Sequence, residues 1–443
     1  MATKNDLIEA QTFSRRRLLT AFVSGAPGGK ELEPTAPLRA VIAAIALTVA
    51  VILVGVFWGL IKPGLPNGWE NGKLILVSDT GARFVTVDGE LHPVINTASA
   101  RLLLPSSDFA VISTDQQNLA GVALGSTLGI VGAPDELPAP ASLQNDGWTA
   151  CVTDDAALDV RIGATAARAV TAGAAVVESD GERFVIDGER SYAVGGGGSD
   201  AVLRAVGITA LDPVEVPADW LNLFTPGTAL APIEVADAGL PVAGTSLAAG
   251  DVIHLQGTAE AERFLVQADG TLAELTPLAW QLYQLGGGAA ATIDVSASDV
   301  AGLDTTARPA GGADWPVDGF QSIASDQRAC ALLQDDGGEV RTVLAAQPTT
   351  DEATAGVHVQ PGAGALVRAG GRGEQSTGIV TLVDATGTAY ALPGATEETV
   401  NRLGYQIADI GLAGDVWVDL FATGPALTEE AAGLSPGAET PSG

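Results

Sequence analysis

Three histidines, two cysteines and fifty-three carboxylates are what this 443-residue chain offers for chemistry. His92, His254 and His358 stand alone. No His-Glu-x-x-His spacing joins any two of them, and with the two cysteines expected to pair with each other none is left over for zinc. His92 precedes Pro93 in an extended run, and all three read as structural or surface residues. The nearest approach to a phosphate-binding loop is Gly25-Ala-Pro-Gly-Gly-Lys30-Glu31. Its glycine spacing is wrong, and a glutamate stands where the magnesium-binding hydroxyl belongs, so it reads as a linker. The run Gly195 to Gly198 lacks the preceding strand and following helix that a phosphate cradle needs. Neither a Gly-x-Ser-x-Gly elbow nor an EF-hand loop occurs. A hydrolytic carboxylate pair could be drawn from so many acids, but nothing in the spacing marks one out. The expectation is a chain with no catalytic residues, no cofactor and no metal.

The cysteines have a different meaning. Cys151 and Cys330 lie in rhyming apolar runs, Thr149-Ala-Cys-Val-Thr against Arg328-Ala-Cys-Ala-Leu. In an oxidising compartment the two are expected to pair, closing a loop of about 180 residues; the alternative is two buried free thiols.

The element that decides the compartment is the stretch from Ala40 to Ile61, twenty-two residues without a charge, closed by Arg39 and Lys62. At about 1.5 Å per residue such a helix is roughly 33 Å long, enough to cross a hydrocarbon core of about 30 Å. A cleavable signal peptide would start nearer the N-terminus and end on small residues, whereas Phe57, Trp58 and Leu60 crowd this end. A soluble core helix of this length would carry a polar face. Residues 1–40 hold six basic side chains against four acidic ones, a net +2, so of the formal charge of −31 the remaining chain carries −33. Basic residues on the short side predict that residues 1–39 stay in the cytoplasm and that everything past Lys62 is exported. So acidic a body repels phosphate backbones, which argues against nucleic-acid binding.

Before the span, Asn5 to Ser24 predicts a helix capped by Asn5 or Asp6 and stopped by Gly25 and Pro27. Arg15, Arg16 and Arg17 form a basic cluster beside Leu18, Leu19, Phe22 and Val23. That composition suits a membrane-surface helix or a docking helix for a cytoplasmic partner. Ser14-Arg15-Arg16 also resembles a twin-arginine export signal, but a Gly/Pro break and the charged residues Lys30 to Glu33 separate it from the apolar span.

After the span a unit recurs. Gly81-Ala-Arg-Phe-Val-Thr-Val-Asp-Gly89, Gly181-Glu-Arg-Phe-Val-Ile-Asp-Gly188 and Ala261-Glu-Arg-Phe-Leu-Val-Gln-Ala-Asp-Gly270 each run an Arg-Phe strand into an Asp-Gly turn, and Gly387 to Gly394, around Tyr390, reads as a degenerate fourth copy. Short helical segments follow at Asn96 to Leu104, Ser199 to Gly207, Thr276 to Leu285 and Thr396 to Tyr405, each opened by a capping residue. A second echo pairs Trp220-Leu-Asn-Leu-Phe224 with Trp417-Val-Asp-Leu-Phe421. The spacing of the copies is irregular, which excludes a fixed-period solenoid and places other segments between them. Glycine and proline, 79 residues together, favour short strands and turns. Trp69, Trp148, Trp220, Trp280, Trp315 and Trp417 sit in apolar contexts that favour core packing over glycan recognition.

The expected fold is α+β: a cytoplasmic helix and linker (1–39), a single transmembrane helix (40–61), and a β-rich exported region. In that region four strand-turn-strand-helix repeat domains (62–134, 176–235, 236–290, 373–428) surround a central β domain in two pieces (135–175 and 291–372), each holding one cysteine. A tail from 429 to 443, rich in Gly, Pro, Ser and Ala, is expected to be disordered.

These residues resemble the EccB family, the single-pass membrane component of actinobacterial type VII (ESX) secretion systems. The resemblance runs over nearly the whole chain. It rests on the Phe13 to Phe22 segment with its arginine pair, Leu91-His-Pro-Val-Ile-Asn-Thr-Ala-Ser-Ala-Arg-Leu102, Gly129-Ile-Val-Gly-Ala-Pro134, Trp220-Leu-Asn-Leu, Val359-Gln-Pro-Gly-Ala-Gly-Ala-Leu-Val-Arg368, Leu403-Gly-Tyr405, and Gly424-Pro-Ala-Leu427 before Ala431-Ala432. It implies a structural inner-membrane subunit with an elongated periplasmic body of four repeat domains and a disulfide-bearing centre. It also implies assembly with the EccC motor ATPase, EccD and EccE, and self-association through the periplasmic region. Members of the family are sometimes described as ATPases; ATP would enter only under that alternative, and the sequence offers no nucleotide-binding residues. A cell-wall-binding module is a further alternative.

Overall fold

The computed structural model describes residues 3–24, 38–60, 65–195, 199–208, 213–288 and 291–436. The chain divides into two compact units, Met1–Gly64 and Leu65–Gly443. The expected linker, with its glycine-rich segment and the Gly25-Pro27 stop, lies outside the described residues, as do Ile61 and Gly196 to Gly198.

The first unit holds two helices, Lys4–Ser24 and Leu38–Leu60. The cap of the first is Thr3, not Asn5 or Asp6: Asp6 sits three residues into the cap motif and reaches back to accept from the Thr3 backbone N–H at 2.8 Å and hydroxyl at 2.6 Å. Those bonds hold the Asp6 carboxyl below its usual range, the hydroxyl first. The second helix carries one window, Arg39–Val56, long and apolar enough to cross a membrane, and its side chains there are exposed.

The second unit is mixed α+β and built mostly of sheets. In the first sheet, Leu74–Val77, Arg83–Val87 and Glu90–Pro93 form an antiparallel meander, flanked by the parallel edge strands Val111–Thr114 and Ala123–Leu124. Two further sheets share this order. One has Ala174–Ser179, Glu182–Asp187 and Arg190–Ala193 between Val214–Glu215 and Thr225–Pro226; the other has Ala365–Gly370, Ile379–Val383 and Thr388–Leu392 between Gly411–Gly414 and Ala422–Thr423. A fourth sheet, Val252–Leu255, Phe264–Val266 and Leu272–Glu274, has, among the described residues, one edge strand, Thr292–Val295. The tight turns explain the Asp-Gly pairs. Asp88 and Gly89 stand at φ 49° and 81°, and Asp180 and Gly181 at 52° and 80°, as a two-residue hairpin loop with the twist of its strands requires. The third strand of each meander leads to a helix: Thr97–Leu103, Ser199–Ala205, Pro277–Leu285 and Glu397–Leu403. Asn96, Thr276 and Thr396 cap three of them through their side-chain oxygens.

A six-stranded sheet occupies the middle, in the order Gly356–Val359, Leu158–Ile162, Thr149–Val152, Gln327–Asp335, Val340–Pro348, Arg168–Ala169.

Sheets share cores through their helices. Ala98 and Leu102 pack in one cluster with Leu366, Leu382, Tyr390 and Val400, joining the Leu74 sheet to the Ala365 sheet. Val202 and Leu203 pack with Leu278 and Leu282, joining the Ala174 sheet to the Val252 sheet. Polar clasps reinforce the first junction. Glu398 accepts from the Ser106 N–H at 3.0 Å and hydroxyl at 2.8 Å, and Arg402 donates to the Leu102 carbonyl at 2.7 Å.

Several boundaries differ from those expected. The strand matching the Arg-Phe strands in the last meander is Ile379–Val383, not the Tyr390 segment, which is the third strand. Val380 is the second residue of that strand, as Phe84 is of its own, so this copy lacks the aromatic that marks the others. Of the expected second piece, 291–372, the central sheet takes the strands between Gln327 and Val359. Thr292–Val295 and Ala365–Gly370, expected within 291–372, belong to flanking sheets, and Ala174–Ser179 starts ahead of the expected boundary at 176. Of residues 135–145, expected to begin the central domain, the stretch 138–145 attaches to the last meander sheet, while Asp135 pairs with Arg83 of the first. Asn145 accepts from the Leu366 N–H at 2.8 Å, and the Tyr405 hydroxyl donates to the Pro138 carbonyl at 2.8 Å. The tail is not disordered from its start: Thr428 caps a turn of helix, Glu429–Ala432, and Ala432 is fully buried. Composition describes a segment alone and misses the apolar groove into which this one folds. Residues 437–443 lie outside the described residues.

Candidate functional site

Cys151 and Cys330 face each other on neighbouring antiparallel strands of the central sheet, with Cα atoms 4.0 Å apart, and form a disulfide. Both are buried with Ala167, Leu332 and Ala345 on one face of the sheet. Side chains alternate along a strand, so the intervening residues Trp148, Ala150, Val152, Ala329, Ala331 and Leu333 face the other way, into a larger core.

The duplicated tryptophan motif reaches this larger core from two flanking sheets. Trp220 and Trp417 are buried within it, each on a one-turn helix, Ala218–Leu221 and Asp415–Val418. Trp220 Nε1 donates to the Ala150 carbonyl at 2.8 Å, and Trp417 Nε1 donates to Thr342 Oγ1 at 2.8 Å, so both indoles bond residues of the central sheet. Trp220 packs edge-on to Phe224, with ring centroids 4.9 Å apart. Trp417 and Phe421 both pack edge-on to Trp148, at 6.3 and 5.4 Å. One motif, used twice, ties two outer sheets to the centre.

A polar junction that sequence reasoning missed lies in the same sheet. Asp159, 1% exposed, takes a two-pronged pair from Arg161, at 2.9 Å from Nε and 2.8 Å from Nη2, and accepts the Thr354 N–H at 3.1 Å. The bond from Asp159 raises the Arg161 guanidinium pKa. The spacing i, i+2 on an alternating strand was the signal that could have found it.

The predicted docking residues, Arg15, Arg16, Arg17, Leu18 and Phe22, all lie on the helix Lys4–Ser24 and are exposed. Leu18 and Phe22 are one turn apart and share a side with Arg15. Phe22 is 92% exposed, an unusual position for an aromatic in water.

The histidines are separate. His92 Nδ1 lies 3.0 Å from the Ser126 carbonyl, His358 Nε2 lies 3.0 Å from the Thr354 carbonyl, and His254 Nδ1 lies 2.9 Å from Asp294 Oδ1. The Asp294 contact raises the His254 pKa above its usual 6.5. Among the described residues, no three His, Cys, Asp or Glu side chains come together as a metal site. An open cleft of about 410 Å³ is lined by Asp187, Glu189, Arg190, Gln334 and Arg341. Burial pushes the Asp187 carboxyl pKa up.

A family model described as "Type VII secretion system ESX-1, transport TM domain B" matches residues 1–438. The chain is 29% identical over 185 residues to the ESX-5 secretion system ATPase EccB5 of Mycobacterium tuberculosis strain H37Rv, a match covering 41% of this chain and 35% of that protein. It therefore spans about a third of that relative's length in the match. With the ESX-3 secretion system ATPase EccB3 of Mycolicibacterium smegmatis it is 28% identical over 434 residues, covering 86% of this chain and 81% of the relative. The fold is similar to a chain in the structure of an intact ESX-5 inner membrane complex, with a TM-score of 0.68 and 21% identity over 100% of this chain and 98% of that one. It is also similar to the EccB3 dimer from the ESX-3 core complex, with a TM-score of 0.65 and 23% identity over 82% and 99%.

Proposed function

The chain belongs to the EccB family of type VII secretion membrane proteins, and we propose that it is a structural subunit of an ESX inner-membrane complex, joining a membrane channel and motor to a periplasmic assembly. The match over residues 1–438 carries this reading. In it the helix Leu38–Leu60 crosses the membrane once with residues 1–39 in the cytoplasm, as the basic side chains before it favour. The acidic region beyond lies in the periplasm, where an oxidising medium keeps Cys151 and Cys330 joined. The four meander sheets are copies of one repeat domain set around the six-stranded sheet. Complex membership and self-association are supported by what the similar folds were found in, an ESX-5 inner membrane complex and an EccB3 dimer.

The exposed helix Lys4–Ser24 is the surface for a cytoplasmic partner, with Leu18 and Phe22 as apolar anchors and Arg15, Arg16 and Arg17 as charges that steer it. EccC, the motor ATPase, EccD and EccE are the expected companions. Purifying the full-length protein in mild detergent and identifying its companions by mass tests this. Loss of all companions from a Leu18→Ala/Phe22→Ala variant that remains in the membrane supports the docking role, and full retention refutes it.

The names of the relatives, secretion system ATPases, favour a second reading in which ATP is hydrolysed. Saturable phosphate release by the purified protein, abolished by one point substitution, would establish it over the structural role.

A further inference from the structure

The open cleft lies where the Gly188-Glu189 turn meets the strand Val340–Pro348. Hydrogen bonds fix this junction: the Leu344 N–H donates to the Gly188 carbonyl at 2.7 Å, and the Val170 N–H donates to the Leu344 carbonyl at 2.9 Å. Leu344 thus turns its backbone groups outward, away from the neighbouring strand Gln327–Asp335. Peptide groups alternate along an antiparallel strand, so Thr342, two residues before it, turns its N–H and C=O the same way. Among the described residues neither has a backbone partner, because the outer strand Arg168–Ala169 reaches only Ala345 and Ala346. That leaves a short length of open strand edge beside the cleft.

The charges of the cleft are unequal in their pairing. Arg341 is held by Glu189 at 3.3 Å and Asp336 at 3.0 Å, and Arg190 lies 3.5 Å from Asp314. Asp187 is half-buried and, among the described residues, has neither an ion pair nor a side-chain hydrogen bond. Ala169, Val170 and Val343 give the cleft an apolar part. A carboxylate drawn partly out of water without a counter-charge favours an incoming cation. Its surroundings, an open strand edge and an apolar strip, suit an extended main chain better than a free amine.

We propose that this cleft binds a short extended peptide segment of a partner, its lysine or arginine side chain meeting Asp187 and its main chain running along the open edge at Thr342. The volume of about 410 Å³ admits only a few residues, so the contact is short and depends on charge. The proposal does not rest on the membrane role.

The full-length protein in mild detergent is titrated, at about 0.15 M salt where the Debye length is about 8 Å, against fluorescein-labelled Val-Lys-Val-Lys-Val and its glutamate counterpart. The lysine peptide is expected to bind at least tenfold more tightly, and Asp187→Asn to weaken it about tenfold. Arg341→Ala frees Glu189 and Asp336 and should tighten binding, which keeps the test informative if the Asp187 variant folds poorly; Arg341 is 41% exposed. Asp155→Asn, an exposed acid outside the cleft, should change nothing. N-methylating the backbone of the lysine peptide should weaken it. Equal affinity for both peptides, an unchanged Asp187→Asn variant, weaker binding by Arg341→Ala, or no detectable binding at millimolar peptide each overturns the proposal.

Discussion

Replacing Trp220 by alanine tests whether the duplicated motif holds an outer sheet to the centre. The indole is fully buried, touches Phe224 edge-on, and donates to the carbonyl of Ala150 on the middle of the central sheet. Truncating a buried aromatic to alanine costs about 3–5 kcal/mol, of which the hydrogen bond is about 1 kcal/mol. Trp220→Phe keeps most of the ring and loses the bond, so it should cost about 1–2 kcal/mol. A unit of five sheets need not unfold in one step, so a single melting curve does not localise the loss. Hydrogen exchange read by peptide does. At about 1.4 kcal/mol per tenfold change, Trp220→Ala should raise exchange roughly 100-fold or more in Ala174–Ser179, Glu182–Asp187 and Thr149–Val152, with Trp220→Phe in between. The Leu74–Val77 sheet, which the motif does not touch, should keep its protection. If Trp220→Ala slows or leaves unchanged the exchange of Thr149–Val152, the indole is filler and not an anchor.

Replacing both Cys151 and Cys330 by alanine releases a loop spanning 179 residues, for which chain entropy gives a loss of about 5 kcal/mol; chemical denaturation of the oxidised and variant proteins measures it, and a loss below about 1 kcal/mol would mean that packing around the strands already fixes the register. Arg161→Met leaves the buried Asp159 with the Thr354 N–H and, at 3.9 Å, the His358 ring, and should cost about 3 kcal/mol, whereas removing both charges with Asp159→Asn/Arg161→Met should cost less; a double-mutant cycle checks the sign. His254 has its pKa raised by Asp294, so its contribution is fully present below about pH 6.5 and is lost as pH rises through the higher folded value. The melting temperatures of wild type and Asp294→Asn should therefore differ most in acid and converge in alkali, and a gap that widens with pH contradicts the pairing. Glu398 is held below its usual range by the Ser106 N–H first, then the Ser106 hydroxyl and Arg402, so Glu398→Gln should narrow its stability gap to wild type as pH falls through the folded value.

What the sequence determined by itself were the features written in adjacent residues. Hydropathy without interruption marked the helix Leu38–Leu60, Asp-Gly pairs marked the hairpin at Asp88, and Asn96, Thr276 and Thr396 marked helix starts, because each depends on bonds made within a few residues. The cysteine pair was legible too, as two rhyming apolar runs, which the fold sets side by side on adjacent strands. Tertiary structure alone decided which sheet each strand joins. Thr292–Val295 and Ala365–Gly370 look like central strands by position, yet pair with Val252–Leu255 and Ile379–Val383, because a strand's partner is chosen by pockets and edges far along the chain. The repeated Trp-Phe motif was visible as an echo, while its job, seating both copies on the central sheet, depended on Ala150 and Thr342 being carried there by strands 70 and 75 residues distant. Local pattern sets what a segment can be; burial and hydrogen bonding across long separations set what it holds together.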